Sequence, residues 1–180
     1  MEIIYREIHL NELDDNILKH FNRYQNVLKD WCFENGEYVL KSSPHIENWD
    51  ESAKKRKIKT FYTILQHGGK LFGAFDNDKL IGFSGIDGIL IGSRKQYIEL
   101  SELHVSYEYR GKKIGKELFK RCVESASAYN YKKLYIVASS SEESQKAYYK
   151  LGCKYTEELI PELYENSPTD VHMEYIILQQ

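Results

Sequence analysis

The residues best suited to chemistry lie in one stretch, Glu99 to Arg121. Within it Arg110, Lys112, Lys113 and Lys116 put four cations into seven residues, around Gly111 and Gly115. A glycine-containing turn that opens a helix presents backbone N–H groups lacking acceptors, together with the positive end of the helix dipole. That combination suits an anion such as a pyrophosphate, with the lysines as secondary partners. The same residues also describe an ordinary solvated helix start, and on spacing alone the two readings stand level.

The elements that must position this turn follow from periodicity. Gln96–Val105 is expected as a strand, but Ile98 and Leu100 share one face while Leu103 and Val105 fall on the other. A switch of parity inside one strand is what a β-bulge produces, and bulges often sit beside active sites. Glu99, just before the switch, would then point into the cleft that the bulge opens. After the turn, Ile114, Leu118, Cys122 and Ala126 recur every four residues with Phe119 and Val123, a helical stripe running to about Tyr129. Lys133–Val137 is a short apolar strand. Ser140-x-x-Glu143 has the form of a capping box for a helix with Ser144, Ala147, Tyr148 and Leu151 on one face, and Gly152 is the expected residue after its end.

Upstream, Ile3–Ile8 is expected as a strand and Leu13–Phe33 as a helix, from the spacing of Leu13, Ile17, Phe21, Tyr24, Val27, Leu28 and Trp31. Lys41–Glu47 is expected as a loop. A second helix should start at Asp50 as N-cap and end at Gly68-Gly69, burying Ile58, Phe61, Tyr62 and Leu65. Strands Lys70–Phe75 and Lys79–Ile86 flank the hairpin signal Asp76-Asn77-Asp78, and a final strand is expected over Val171–Leu178. The order implies an α/β fold with a mixed sheet, containing one right-handed β-α-β unit.

Composition narrows the function classes. The chain has 180 residues, 25 basic against 27 acidic, for a net charge of −2. No basic excess of the kind duplex-binding proteins carry is present. Three scattered cysteines without a Cys-x-x-Cys pair read as reduced thiols, and six histidines without ligand spacing make a metal site unexpected. The start has no signal-peptide pattern and no apolar run is long enough to span a membrane, so a cytoplasmic protein is expected.

Two motifs then carry a resemblance. Arg110-Gly-Lys-Lys-Ile-Gly115 after a strand, with Ala147-Tyr148-Tyr-Lys-Leu-Gly152-Cys about forty residues on, resembles the GCN5-related N-acetyltransferase (GNAT) superfamily. Its phosphate loop reads Gln/Arg, two residues, Gly, one residue, Gly/Ala. Arg110 and Gly115 match the outer positions, and Lys113 stands where the first glycine belongs. In the second motif Ser141 replaces Asn and Cys153 replaces Phe. The resemblance covers Leu71 to Cys153 well and the first seventy residues only by element order.

The resemblance implies residues 1–180 as a single N-acetyltransferase domain of the acyl-CoA N-acyltransferase fold, with a mostly antiparallel central sheet and flanking helices. It implies acetyl-CoA as co-substrate, no metal, and direct transfer to a primary amine of a small molecule or peptide within a ternary complex. Tyr148 would be the general acid for the departing thiolate, although an aromatic on an apolar helix face is also ordinary core. Glu99, eleven residues before Arg110, would be the general base. Glu102 competes for that role, and His104 is a third and weaker candidate. The backbone of Leu103, His104 and Val105 would bind the pantetheine amides like an added strand, and one N–H there would polarise the thioester carbonyl. The turn from Arg110 through Gly111, Lys112, Lys113, Ile114, Gly115 and Lys116 would hold the pyrophosphate. Ser141 would either bond the cofactor or cap a helix.

Other features have bland readings. Lys54-Lys55-Arg56-Lys57 with Lys59 has the look of a nucleic-acid patch but fits a solvated helix face better, so no nucleic-acid partner is expected. Glu157, Glu158, Glu162 and Glu165 would attract a cationic amine or simply form a polar loop. Acceptor pockets of this fold would draw on Trp31–Trp49 and Glu157–Pro168, and dimers are common in the superfamily, so a homodimer is one expectation. The reading from a different class is a non-catalytic acyl-CoA-binding sensor or interaction module.

Overall fold

The computed structural model describes residues 2–177. The chain opens with β1 (Ile3–Glu7) and a 3-10 turn at Leu10–Glu12, and then departs from the helix expected over Leu13–Phe33. In its place β2 (Gln25–Glu34) and β3 (Glu37–Glu47) form a separate two-stranded antiparallel sheet. The reason is local. Asn35 and Gly36 hold φ of 51° and 91°, the two-residue loop whose twist matches that of the strands it joins. Leu13, Leu18 and Phe21 do reach the core, but from turns that lay them against Ile58 and Phe61.

The segment Lys41–Glu47, expected as a loop, lies within β3. Its turn-forming residues serve a bulge. Val27 pairs with His45 and Lys29 with Ser42, so β3 carries one residue more than β2 around Ser43 and Pro44. A proline has no N–H to give to a ladder and is tolerated there.

Next, α1 (Glu51–Gln66) forms as expected. The Asp50 side chain accepts the Ala53 N–H at 2.7 Å, and Ile58, Phe61 and Ile64 are buried, with Tyr62 and Leu65 half-buried beside them. A hairpin of β4 (Lys70–Asp76) and β5 (Lys79–Ile91) leads to β6 (Tyr97–Val105). After a 3-10 turn at Tyr107–Tyr109 comes α2 (Ile114–Ala128), then β7 (Lys133–Ala138) and α3 (Glu142–Leu151). The cap of α3 is Ser141 rather than Ser140: its Oγ accepts the Ser144 N–H at 3.3 Å. Two short elements escape sequence periodicity, β8 (Lys154–Tyr155) and α4 (Pro161–Asn166). The chain ends in β9 (Val171–Ile176), and Leu178, expected at the end of that strand, lies outside the described residues.

Seven strands form one sheet in the order β1-β4-β5-β6-β7-β9-β8, antiparallel except between β6 and β7. On one face α2 packs Phe119, Cys122 and Ala126 against Ile98, Leu100, Leu134 and Ile136. On the other, α1 packs Ile58 and Phe61 against Leu71 and Phe83. Each buried Leu, Ile or Phe among these contributes about 1.5–3 kcal/mol over leaving it exposed, so both faces are anchored. Among the described residues no helix is long and apolar enough to cross a membrane.

The expected bulge is present. Gly85 pairs with Glu102 and Ile86 with Leu100, which leaves Ser101 as the extra residue of β6. Consequently Leu103 and Val105 return to the face of Ile98 and Leu100, while Glu102 and His104 share the face of Tyr97 and Glu99. Leu100 is buried; Leu103 is half-buried, because the wall it belongs to is open. The second consequence is a wedge. β6 and β7 pair only from Tyr97 with Lys133 to Glu99 with Tyr135, after which β6 follows β5 and β7 follows β9.

Candidate active site

The wedge opens into a cleft of about 1050 Å³. One wall is β6 beyond its last rung with β7, contributing Leu100, Ser101, Leu103, His104 and Val105. The opposite wall is Val137 and Ser139 from the β7 end, with Ser144, Ala147, Tyr148 and Leu151 from α3. Arg110, Gly111, Lys113, Ile114, Gly115 and Lys116 close one end, and Arg23 to Asn26 line it from the start of β2.

Geometry at the closing turn explains how a lysine serves where a glycine was expected. Lys113, the N-cap of α2, adopts the left-handed conformation at φ 64° and ψ 9°. Such a conformation costs a non-glycine residue roughly 1–2 kcal/mol, but it is accessible. The first residues of α2, whose N–H groups have no intrahelical acceptors, line the cleft at Ile114, Gly115 and Lys116. A Cβ built on Gly115 would meet only Val105 Cγ2, at 3.5 Å, so the space above this residue is open. Arg110 turns back, its Nε donating to the Val105 carbonyl at 3.1 Å.

Most residues singled out from the sequence meet at this cleft: Leu103, His104, Val105, Arg110, Gly111, Lys113, Ile114, Gly115, Lys116 and Tyr148. Lys112 does not; its ammonium lies 4.9 Å from the Tyr109 ring centre. Ser141 is fully buried, its hydroxyl held by Gln25 Nε2 at 3.0 Å and by the cap of α3, so the cleft is faced by Ser139 instead. Glu99 stands at the apex of the wedge rather than in its wall. Sequence reasoning missed Arg23–Asn26, because they were assigned to a helix, and Ser139. The signal for the former was available in Asn35-Gly36.

Electrostatics separates the ionisable groups. Burial raises the Glu99 carboxyl to about 7, and the neighbouring carboxylates Asp87 and Glu102 push the same way. Burial also holds the Tyr148 phenol above its ordinary range, so its proton stays on. Glu102 is 2% exposed. Burial works against its charge, but His104 and Lys57 outweigh it and keep the carboxyl below the usual range. Lys57 Nζ on α1 donates to Glu102 Oε1 at 2.8 Å. His104 Nε2 lies 3.0 Å from Glu102 Oε2, an oxygen with no aligned hydrogen-bond donor. Burial lowers the His104 pKa, so its imidazole is neutral at pH 7. Among the described residues no group of three or more His, Cys, Asp or Glu side chains is placed to hold a metal ion.

A family model described as "Acetyltransferase (GNAT) domain" matches residues 34–177. No protein of curated function matches the sequence. Solved structures share the fold at low identity. Nourseothricin acetyltransferase superposes with a TM-score of 0.72 at 15% identity, over 98% of this chain and 99% of that one. A candidate streptothricin acetyltransferase from Bacillus anthracis, in complex with acetyl coenzyme A, gives 0.67 at 15%, over 99% and 100% of the two chains. PaiA N-acetyltransferase from Thermoplasma acidophilum, in complex with coenzyme A, gives 0.62 at 20%, over 98% and 99%.

Proposed function

The chain belongs to the GNAT acetyltransferase family, and on that premise we propose that it transfers the acetyl group of acetyl-CoA to a primary amine of a small molecule or peptide, by direct transfer with both substrates bound. It is an N-acetyltransferase with acetyl-CoA as co-substrate. The observation that carries the reading is the wedge, which brings a free β6 edge, the α2 N-terminus and Tyr148 around one cleft.

The residues present fit the co-substrate. A pantetheine arm carries two amides, and the edge of Leu103 to Val105 that faces away from β5, no longer paired with β7, offers backbone groups at strand spacing. The pyrophosphate suits the α2 N-terminus, where the open space above Gly115 lets it approach the backbone and Lys113 and Lys116 add charge. When bound, acetyl-CoA supplies an electrophilic thioester and a thiolate leaving group.

The chain's own residues handle the protons. An amine reaches the cleft as an ammonium and must lose a proton before its nitrogen can attack. Glu99, whose carboxyl titrates near 7, is placed in this reading as the base, since such a group is ionised yet basic enough at neutral pH. Tyr148 retains its proton and gives it to the departing sulfur. Among the described residues no cysteine lines the cleft, and burial pushes the thiols of Cys122 and Cys153 up to about 12, which favours direct transfer over an acetylated cysteine. A panel of amines, antibiotics and peptides, each incubated with acetyl-CoA and monitored for thiol release, tests the reading. Amine-dependent release from one of them is expected, and none from any would overturn it.

A further inference from the structure

Amide formation from an ammonium removes two protons from one nitrogen, the first before attack and the second as the C–N bond forms. Glu99 at the wedge apex accounts for one of them. We propose that His104, held by Glu102, is a second proton acceptor at the cleft, taking the proton that the nitrogen sheds during bond formation. The inference rests on the acetyl-transfer reading above.

The geometry is that of a supported imidazole. His104 lines the cleft and keeps 23% of its side chain exposed, while the Glu102 carboxylate behind it is only 1% exposed. A buried carboxylate oxygen without a donor is costly, and the group that can serve Glu102 Oε2 is His104 Nε2, at 3.0 Å. That need puts the ring proton on Nε2 and leaves Nδ1 as a lone-pair acceptor. The contact is within hydrogen-bonding distance but off the ideal line. The ring is fixed by its neighbours, with Trp49 at 4.9 Å edge-on and Phe83 at 5.3 Å. Lys57 keeps the carboxylate ionised, so Glu102 has no proton of its own to give back.

Atoms and electrons balance. The nitrogen lone pair forms the C–N bond while the C–S pair departs on sulfur, which takes the Tyr148 proton. Glu99 takes the first nitrogen proton and His104 Nδ1 the second. The imidazolium proton returns through solvent to the Tyr148 phenolate, and the Glu99 proton leaves to bulk. One thiol and one proton are released per acetyl group.

The charged groups facing His104 are Glu102 from its own strand, Lys57 from α1, and Arg23; those facing Glu99 are Asp87, Glu102, Lys57 and Glu162. The acidic limb of kcat/KM should therefore contain two ionisations, one near 7 from Glu99 and one lower from His104. His104→Gln should lower kcat about 10²-fold, remove the lower ionisation, keep the one near 7, and leave coenzyme A affinity within about threefold. Glu102→Gln, as the positioning variant, should move the His104 titration further down, because the imidazolium loses its counter-charge. Independently of turnover, ¹⁵N NMR of histidine-labelled free enzyme at pH 7 should find His104 neutral with the proton on Nε2. A ring protonated on Nδ1 or charged at that pH overturns the proposal, as does a His104→Gln rate within about threefold of wild type. If the wild-type protein releases no thiol with any amine, the acetyl-transfer reading falls and this proposal with it. Normal turnover with an unaffected His104→Gln variant brings down this proposal alone.

Discussion

Glu99 and Tyr135 face one another across the last rung at which β6 and β7 are still paired, and the cleft begins immediately beyond them. The position makes Glu99 a carboxylate at the point where a paired sheet becomes an open wedge. Its titration there has a sign that can be worked out. The folded-state pKa is raised, to about 7, so the folded protein binds this proton more tightly than the unfolded chain does. Its contribution to stability is therefore full below the unfolded value of roughly 4.3 and is lost as pH rises through about 7. Glu99→Gln removes the charge, so the variant should melt higher than wild type at pH 8 and close to it at pH 4.5. Calorimetry at both values checks this; equal melting temperatures at pH 8 would show that the carboxylate is not strained. In activity, the same substitution should abolish the ionisation near 7.

Tyr148 separates a chemical role from a packing one. Phe in its place keeps the partly buried ring against the buried core cluster and deletes only the hydroxyl. As general acid, Tyr148→Phe should reduce turnover about 10²-fold or more with coenzyme A binding largely intact. Turnover within about threefold of wild type, measured on any accepting amine, would make Tyr148 a packing residue.

Gly115 tests the anion site. The space above it is open, so an aspartate fits sterically and its effect is electrostatic. If the pyrophosphate binds where we propose, Gly115→Asp sets a like charge against it, and coenzyme A affinity should fall at least tenfold, about 1.4 kcal/mol. Unchanged binding by calorimetry in the folded variant would remove the α2 N-terminus from the site.

Lys113 carries a backbone prediction. Its φ of 64° is accessible to glycine without steric cost and hostile to a β-branched side chain. Lys113→Gly should stay within about 0.5 kcal/mol of wild-type stability, because relief of strain offsets greater freedom in the unfolded chain. Lys113→Val should lose about 1 kcal/mol or more in urea titration. Equal stabilities for the two variants would show that the turn relaxes away from this conformation.

Where an element is decided by contacts a few residues apart, the sequence was readable. The parity of Ile98, Leu100, Leu103 and Val105 announced the bulge because side chains on a strand alternate whatever surrounds them. The stripe from Ile114 to Ala126 announced α2, and Gly152, at φ 94°, ended α3 as expected. The reading of Leu13–Phe33 failed for an equally physical reason. Apolar residues at helical spacing were recruited into the core from turns and a strand, and Asn35-Gly36, a local signal, was outweighed by that longer pattern.

The sequence alone therefore determined the local devices of this protein: a bulged strand, a cationic turn into a helix, and a tyrosine on the apolar face of α3. Which side chains share the cleft was decided by tertiary structure. Ser139 faces it and Ser141 does not, because Gln25, from a strand more than a hundred residues earlier, holds the Ser141 hydroxyl. Glu102 is ionised and His104 neutral because α1 brings Lys57 to 2.8 Å and the sheet buries both residues. Neither relationship is visible in spacing. Burial and charge pairing depend on how distant segments pack, and a chain read residue by residue carries no measure of that distance.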